Sequence, residues 1–95
     1  MRAVVCEGLA ADYSRIALKD LPLPEPSEGE VRVRVEAASL NFPDLLMLKG
    51  EYQFKPTPPF TLGMDLAGTI DAVGSGVALQ PGQRVAGGTK IGAFA

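Results

Sequence analysis

The chain has 95 residues, a formal charge of -2 and 46% hydrophobic residues, with an isoelectric point near 5.0. A chain of this size buries roughly 60–68% of its extended surface, so it forms one globular domain with a modest core rather than a disordered segment. Without a basic stripe no nucleic-acid or anionic-membrane partner is expected, and without histidine the chain alone can build neither a Ser-His-Asp or Cys-His nucleophile nor a histidine-containing zinc site.

Residues 2–6, Arg-Ala-Val-Val-Cys, read as a first strand. The apolar run at this end is too short for a signal peptide or a membrane span. Cys6 is the only cysteine, so it has no internal disulfide partner, and a reducing, cytoplasmic setting is expected. Its alternation with Val4 favours a small buried hydrophobe over a reactive thiol. Gly8 to Ser14 reads as a turn or loop, and Ile16 to Asp20 as a second strand. Pro22, Pro24 and Pro26 then forbid helix and give a stiff extended connection.

Glu30 to Glu36 alternates strictly. Val31, Val33 and Val35 face one way; Glu30, Arg32, Arg34 and Glu36 face the other. This predicts a strand with one buried valine face and one solvated mixed-charge face, running on through Ala37 to Leu40. Phe42 to Lys49 reads as a short helix with Pro43 and Asp44 in its first turn and Gly50 ending it. Its Leu45-Leu46-Met47-Leu48 run predicts burial on most sides. Pro56, Pro58 and Pro59 mark a rigid loop from Glu51 to Phe60. Leu66 to Val73 and Arg84 to Ala86 read as further strands, separated by turns at Gly74-Ser75-Gly76 and Gln80-Pro81-Gly82-Gln83. Gly74-Ser75-Gly76 is not a dinucleotide turn, because Leu79 stands at the third glycine position and no helix follows. Short strands, Gly/Pro turns and one helix predict a mainly all-β fold, a small barrel or sandwich.

Asn41, Asp44 and Asp65 interrupt apolar runs where a plain core would hold hydrophobes. Taken alone, Asn41 reads either as a helix cap or as a ligand contact, and Tyr52 either as a loop anchor or as part of a cleft. The order Ser39-Leu40-Asn41-Phe42-Pro43-Asp44, helix, Pro-rich loop, Leu62-Gly63-Met64-Asp65-Leu66-Ala67-Gly68, Val73-Gly74-Ser75-Gly76-Val77, Pro81-Gly82-Gln83-Arg84-Val85 and Gly92-Ala93-Phe94-Ala95 is more specific. It resembles the N-terminal, GroES-like domain of the medium-chain dehydrogenase/reductase superfamily, in its zinc-independent NADPH:quinone oxidoreductase branch.

The resemblance implies a partly open GroES-like β-barrel with one short helix, and a direct hydride transfer from NADPH to a quinone or enone. It places Asn41, Phe42 and Asp44 toward the cofactor, makes Leu46, Tyr52 and Met64 the substrate pocket, and gives Tyr52 a catalytic role as donor to the developing oxygen anion. A tyrosine common in that branch is replaced by Leu46, which removes an aromatic contact. The zinc enzymes of the superfamily keep cysteine, histidine and glutamate where this chain has Asn41, Met64 and Asp65, so no zinc is expected. Residues 1–95 would be an incomplete GroES-like domain, with the Rossmann cofactor domain absent from this chain. The piece alone is then expected neither to bind NADPH tightly nor to turn over, and to leave apolar surface uncovered. The parent enzyme would be a homodimer. Two other readings are a zinc-free enoyl or crotonyl-type reductase of the same superfamily, and a co-chaperonin-like non-enzymatic binding module, echoed in the run from Gly68 to Gly74.

Overall fold

The computed structural model describes residues 1–95. Its elements are β1 (Arg2–Cys6), β2 (Ile16–Asp20), β3 (Val31–Ser39), α1 (Phe42–Lys49), β4 (Phe60–Thr61), β5 (Asp65–Val73) and β6 (Arg84–Gly88). They form two three-stranded antiparallel sheets, ordered β2-β1-β4 and β3-β5-β6. The mainly-β expectation with one short helix holds. No helix is long and apolar enough to cross a membrane.

The core lies under β1. Cys6, Met47, Leu48, Phe60 and Leu62 form one buried cluster, with Val4, Leu45, Tyr52, Phe54, Met64 and Phe94 packed against it. Cys6 is fully buried, as its alternation with Val4 predicts. Burial pushes its thiol above the ordinary range, which keeps it protonated and unreactive. The helix α1 contributes Met47 and Leu48 to this cluster, but it is not buried all round. Leu45 and Leu46 are half-buried and Phe42 is 70% exposed. The apolar run is longer than the face that the sheet can cover.

Two further expectations need correction. The valine face of β3 is half-buried, not buried. Val31, Val33 and Val35 line an open groove of about 600 Å³ together with Leu66, Val85 and Ile91, because no element lies over that side of the second sheet. Nor is Arg32 a free, solvated charge. Its Nε donates to Asp71 Oδ1 at 2.7 Å and its Nη1 to the Pro24 carbonyl at 3.2 Å. The stiff proline connection is thus pinned to the sheet. One strand escapes the sequence pattern: β4 is two residues long and directly follows Pro58-Pro59, too short to show a period.

Two glycines set the path of β5. Gly63 has φ +105°, and a Cβ there would lie 2.6 Å from Phe94 Cδ1 and 2.7 Å from the Phe94 backbone nitrogen. Phe94 in turn is woven into the core, donating to the Leu62 carbonyl and accepting from Val4 N–H. Gly68 faces Val35 beside an irregularity in the β3–β5 register. A Cβ there would run into the Arg34 carbonyl oxygen. Gly63→Ala is therefore expected to lower stability by roughly 2 kcal/mol or more, read as a shift in the thermal or urea midpoint. Gly87→Ala, which meets nothing within 4 Å, is expected to change it by less than about 0.5 kcal/mol; equal effects would contradict this account of β5.

Candidate functional site

The site grows from the place where the β3–β5 ladder ends. The last cross-strand pair is Ser39 with Asp65. Beyond Ser39 the chain leaves the sheet through Leu40 and enters α1, with Asn41 as the residue preceding the first turn, at φ -117° and ψ 159°. An asparagine there would ordinarily cap the helix with its side chain. Here its side chain faces the Asp44 backbone N–H in a capping box, while its Nδ2 donates to Asp65 Oδ2 at 2.7 Å and to Ser39 Oγ at 3.2 Å.

The helix start is secured from the other side. Asp44 Oδ2 accepts the Asn41 backbone N–H at 2.9 Å, which is the acidic half of a capping box. The carboxylate also lies in the first turn of α1, where the helix dipole favours negative charge. Asp44 is fully buried, and its second oxygen, Oδ1, has no partner. The sequence thus places a charge-bearing residue at the helix start, while the fold shows it as the support that fixes the backbone of Asn41. Leu40, 66% exposed, and Phe42, 70% exposed, flank Asn41. The result is one polar side chain held between two exposed apolar ones.

The other sequence-derived residues lie elsewhere. Tyr52 and Met64 pack against the core cluster. Leu46 is half-buried on α1. No hydrogen bond joins Tyr52 to the group made by Ser39, Asn41, Asp44 and Asp65. None of Asn41, Phe42, Asp44, Leu46, Tyr52 and Met64 lines the large groove. A shallower depression of about 330 Å³ opens beside the site, over Ala37, Ala38, Ser39, Asp65, Leu66 and Ala67. The direct bond between Asn41 and Asp65, and the share of Ser39 in it, are additions of the structure. The two residues are 24 positions apart, and only the strand register brings them together.

The fold and this corner define a small β domain in which a strand leads through Asn41 into a short helix. The chain belongs to the alcohol dehydrogenase GroES-like domain family, which matches residues 27–93, and through it to the medium-chain dehydrogenase/reductase superfamily. It is 36% identical over 77 residues to the synaptic vesicle membrane protein VAT-1 homolog-like of Mus musculus, covering 81% of this chain and 18% of that protein. It is 42% identical over 67 residues to a quinone oxidoreductase of Lama guanicoe, covering 70% of this chain and 20% of that protein. The quinone oxidoreductase of Thermus thermophilus, solved also in complex with NADPH, superposes with a TM-score of 0.81 at 39% identity, over 100% of this chain and 28% of that one. The chain therefore spans about a fifth of the length of these curated relatives.

The buried Asp44 carboxylate is expected to stabilise the helix start despite its unpartnered oxygen. Asp44→Ala should cost about 1–2 kcal/mol, from the lost hydrogen bond and the vacated buried volume. Urea unfolding followed by circular dichroism measures it, and an unchanged midpoint would show that the carboxylate is not a support.

Proposed function

We propose that this chain is the substrate-side domain of an NADPH-dependent quinone or enone reductase that works without a metal. The observation that carries the reading is Asn41, held by Asp65 between exposed Leu40 and Phe42, in a chain similar to quinone oxidoreductases. Exposed apolar flanks and one fixed amide suit a planar ring bearing a carboxamide, so the residues fit the nicotinamide end of the cofactor. When bound, NADPH supplies the hydride.

The chain's own part is orientation and exclusion of water. Asn41 and Phe42 set the position of the ring, and Asp44 holds the backbone of Asn41. Leu46 and Met64 contribute apolar surface to the substrate pocket. Tyr52 donates its hydroxyl proton in a hydrogen bond to the oxygen that gains negative charge. A quinone accepts hydride readily, so this chemistry has no need of a Lewis acid. The amide of Asn41, the thioether of Met64 and the carboxylate of Asp65 are also a poor donor set for zinc.

Further chain in the whole protein would carry the Rossmann cofactor domain, as the greater length of the relatives suggests. A homodimeric enzyme, on the resemblance, and a cytoplasmic setting, on a lone cysteine with no internal disulfide partner, complete the reading.

The test is a panel of quinones and enones with the intact protein, followed by loss of reduced-nicotinamide absorbance. Turnover with at least one class is expected, unchanged after dialysis against a chelator. No turnover with either class would overturn the reading. Tyr52→Phe should lower kcat about ten- to hundred-fold; an unchanged kcat and KM would remove the tyrosine from the mechanism.

A further inference from the structure

The edge of a sheet presents unpaired N–H and C=O groups, and folds guard it with charge, proline, a bulge or a covering segment. Three sheet edges here are guarded. β2 carries Lys19 and Asp20, and β3 is broken by two register irregularities. β4 is covered by residues 92–94, where the Gly92 and Phe94 N–H groups donate to the Thr61 and Leu62 carbonyls. The edge of β6 is not guarded. It ends the second sheet, and past Arg84 its run Val85-Ala86-Gly87-Gly88 has neither charge nor proline.

The bonds at either end of β6 show which of its groups are free. Ile70 N–H donates to the Gln83 carbonyl, and Thr89 N–H to the Met64 carbonyl. Antiparallel bonding alternates along a strand, so Val85 and Gly87 bond to β5, while Arg84, Ala86 and Gly88 turn their N–H and C=O outward. A second β6, laid antiparallel and centred on Ala86, meets these groups in register. Ala86 then faces Ala86, and Arg84 of each copy faces Gly88 of the other. On one face of the sheet, Val85 of each copy lies against Gly87 of the other, where a Cβ would meet nothing within 4 Å. Both residues line the open groove, so its apolar floor continues from one copy into the next. On the opposite face, Arg84 of the other copy points across bare Gly88 toward Asp65, the partner of Gly88 in the β5–β6 ladder. A Cβ on Gly88 would lie 3.5 Å from Asp65 Oδ1, the oxygen that is not bonded to Asn41. Neither Arg84 nor Asp65 has an ion-pair partner in its own chain. The pairing gives each of them one, and the twofold axis repeats it.

We propose that the free edge of β6 is the interface between two copies of this chain, paired antiparallel about Ala86 with reciprocal Arg84–Asp65 ion pairs. The contact is isologous and therefore closes at two copies. It joins two three-stranded sheets into one continuous sheet. Charge complementarity selects a second copy as the occupant, because only a strand with a cation opposite Gly88 meets the Asp65 carboxylate. The inference needs no cofactor and stands apart from the nicotinamide reading.

Cross-linking and sedimentation of the intact protein test this. Residues opposed in a hydrogen-bonded antiparallel pair have Cα atoms about 5.5 Å apart, within disulfide range. Ala86→Cys is therefore expected to form a disulfide-linked dimer under mild oxidation, and Glu28→Cys, exposed and outside the sheets, is not. Arg84→Glu sets like charges against each other and should raise the dimer dissociation constant about ten-fold or more. The wild-type constant should also rise with added salt. Ala86→Pro removes an outward N–H but no bond to β5, and should weaken the dimer likewise; Arg84→Glu serves if the proline variant does not fold. Wild-type protein that stays monomeric up to about 100 µM would overturn the inference. So would a dimer that Arg84→Glu leaves unchanged, or an Ala86→Cys variant that cross-links no more than Glu28→Cys.

Discussion

The β3–β5 backbone ladder stops at the Ser39–Asp65 pair, and the chain on the β3 side must then turn into a helix. The hydrogen bond from Asn41 Nδ2 to Asp65 Oδ2, 2.7 Å long, continues the connection with side chains where the backbone can no longer make it. It lies at the surface, so its net strength is modest, about 1 kcal/mol for a solvent-accessible bond to a charged group. Its effect on geometry is larger. It ties the side chain of Asn41 to the start of β5, and Asp44 sets where the backbone of Asn41 sits. Stability comes from the apolar cluster of Cys6, Met47, Leu48, Phe60 and Leu62, while the orientation of the site comes from two carboxylates.

The two sources are joined through a short stretch of chain. Leu62 is in the core, Gly63 packs its bare Cα against Ala93 and Phe94, Met64 leans on the core cluster, and Asp65 opens β5. Four consecutive residues thus carry the position of the hydrophobic core to the carboxylate that orients Asn41. On the other side, Met47 and Leu48 seat α1 in the same core. Both partners of the hydrogen bond are therefore referenced to one rigid body, as a preorganised binding group requires.

Much of this was legible in the sequence, for physical reasons that can be named. Residues 2–6 and 16–20 are the observed strands β1 and β2, because apolar runs ended by turn residues mark strands well. The span of α1 follows from Pro43, Asp44 and Gly50, whose preferences at helix ends are strong. The strand β4 was not legible, because two residues have no periodicity. The half-exposure of Val31, Val33 and Val35 was also hidden: alternation shows that a face is apolar, not whether anything covers it. Asn41 and Asp44 stood out as polar residues in apolar runs. Their division of labour did not, since the contact that ties the Asn41 side chain to Asp65 depends on the register of residues 24 positions apart. The need for glycine at Gly63 and Gly68 was not legible either, because the atoms they make room for are known only once Phe94 and the Arg34 carbonyl are in place.

The coupling between Asn41 and Asp65 is open to direct measurement in the chain itself by a double-mutant cycle. Unfolding free energies would be determined for the wild type, Asn41→Ala, Asp65→Ala and the double variant. The hydrogen bond predicts a favourable interaction energy of about 0.5–1.5 kcal/mol. Strictly additive effects, with no interaction energy at neutral pH, would contradict the claim that Asp65 holds the amide of Asn41.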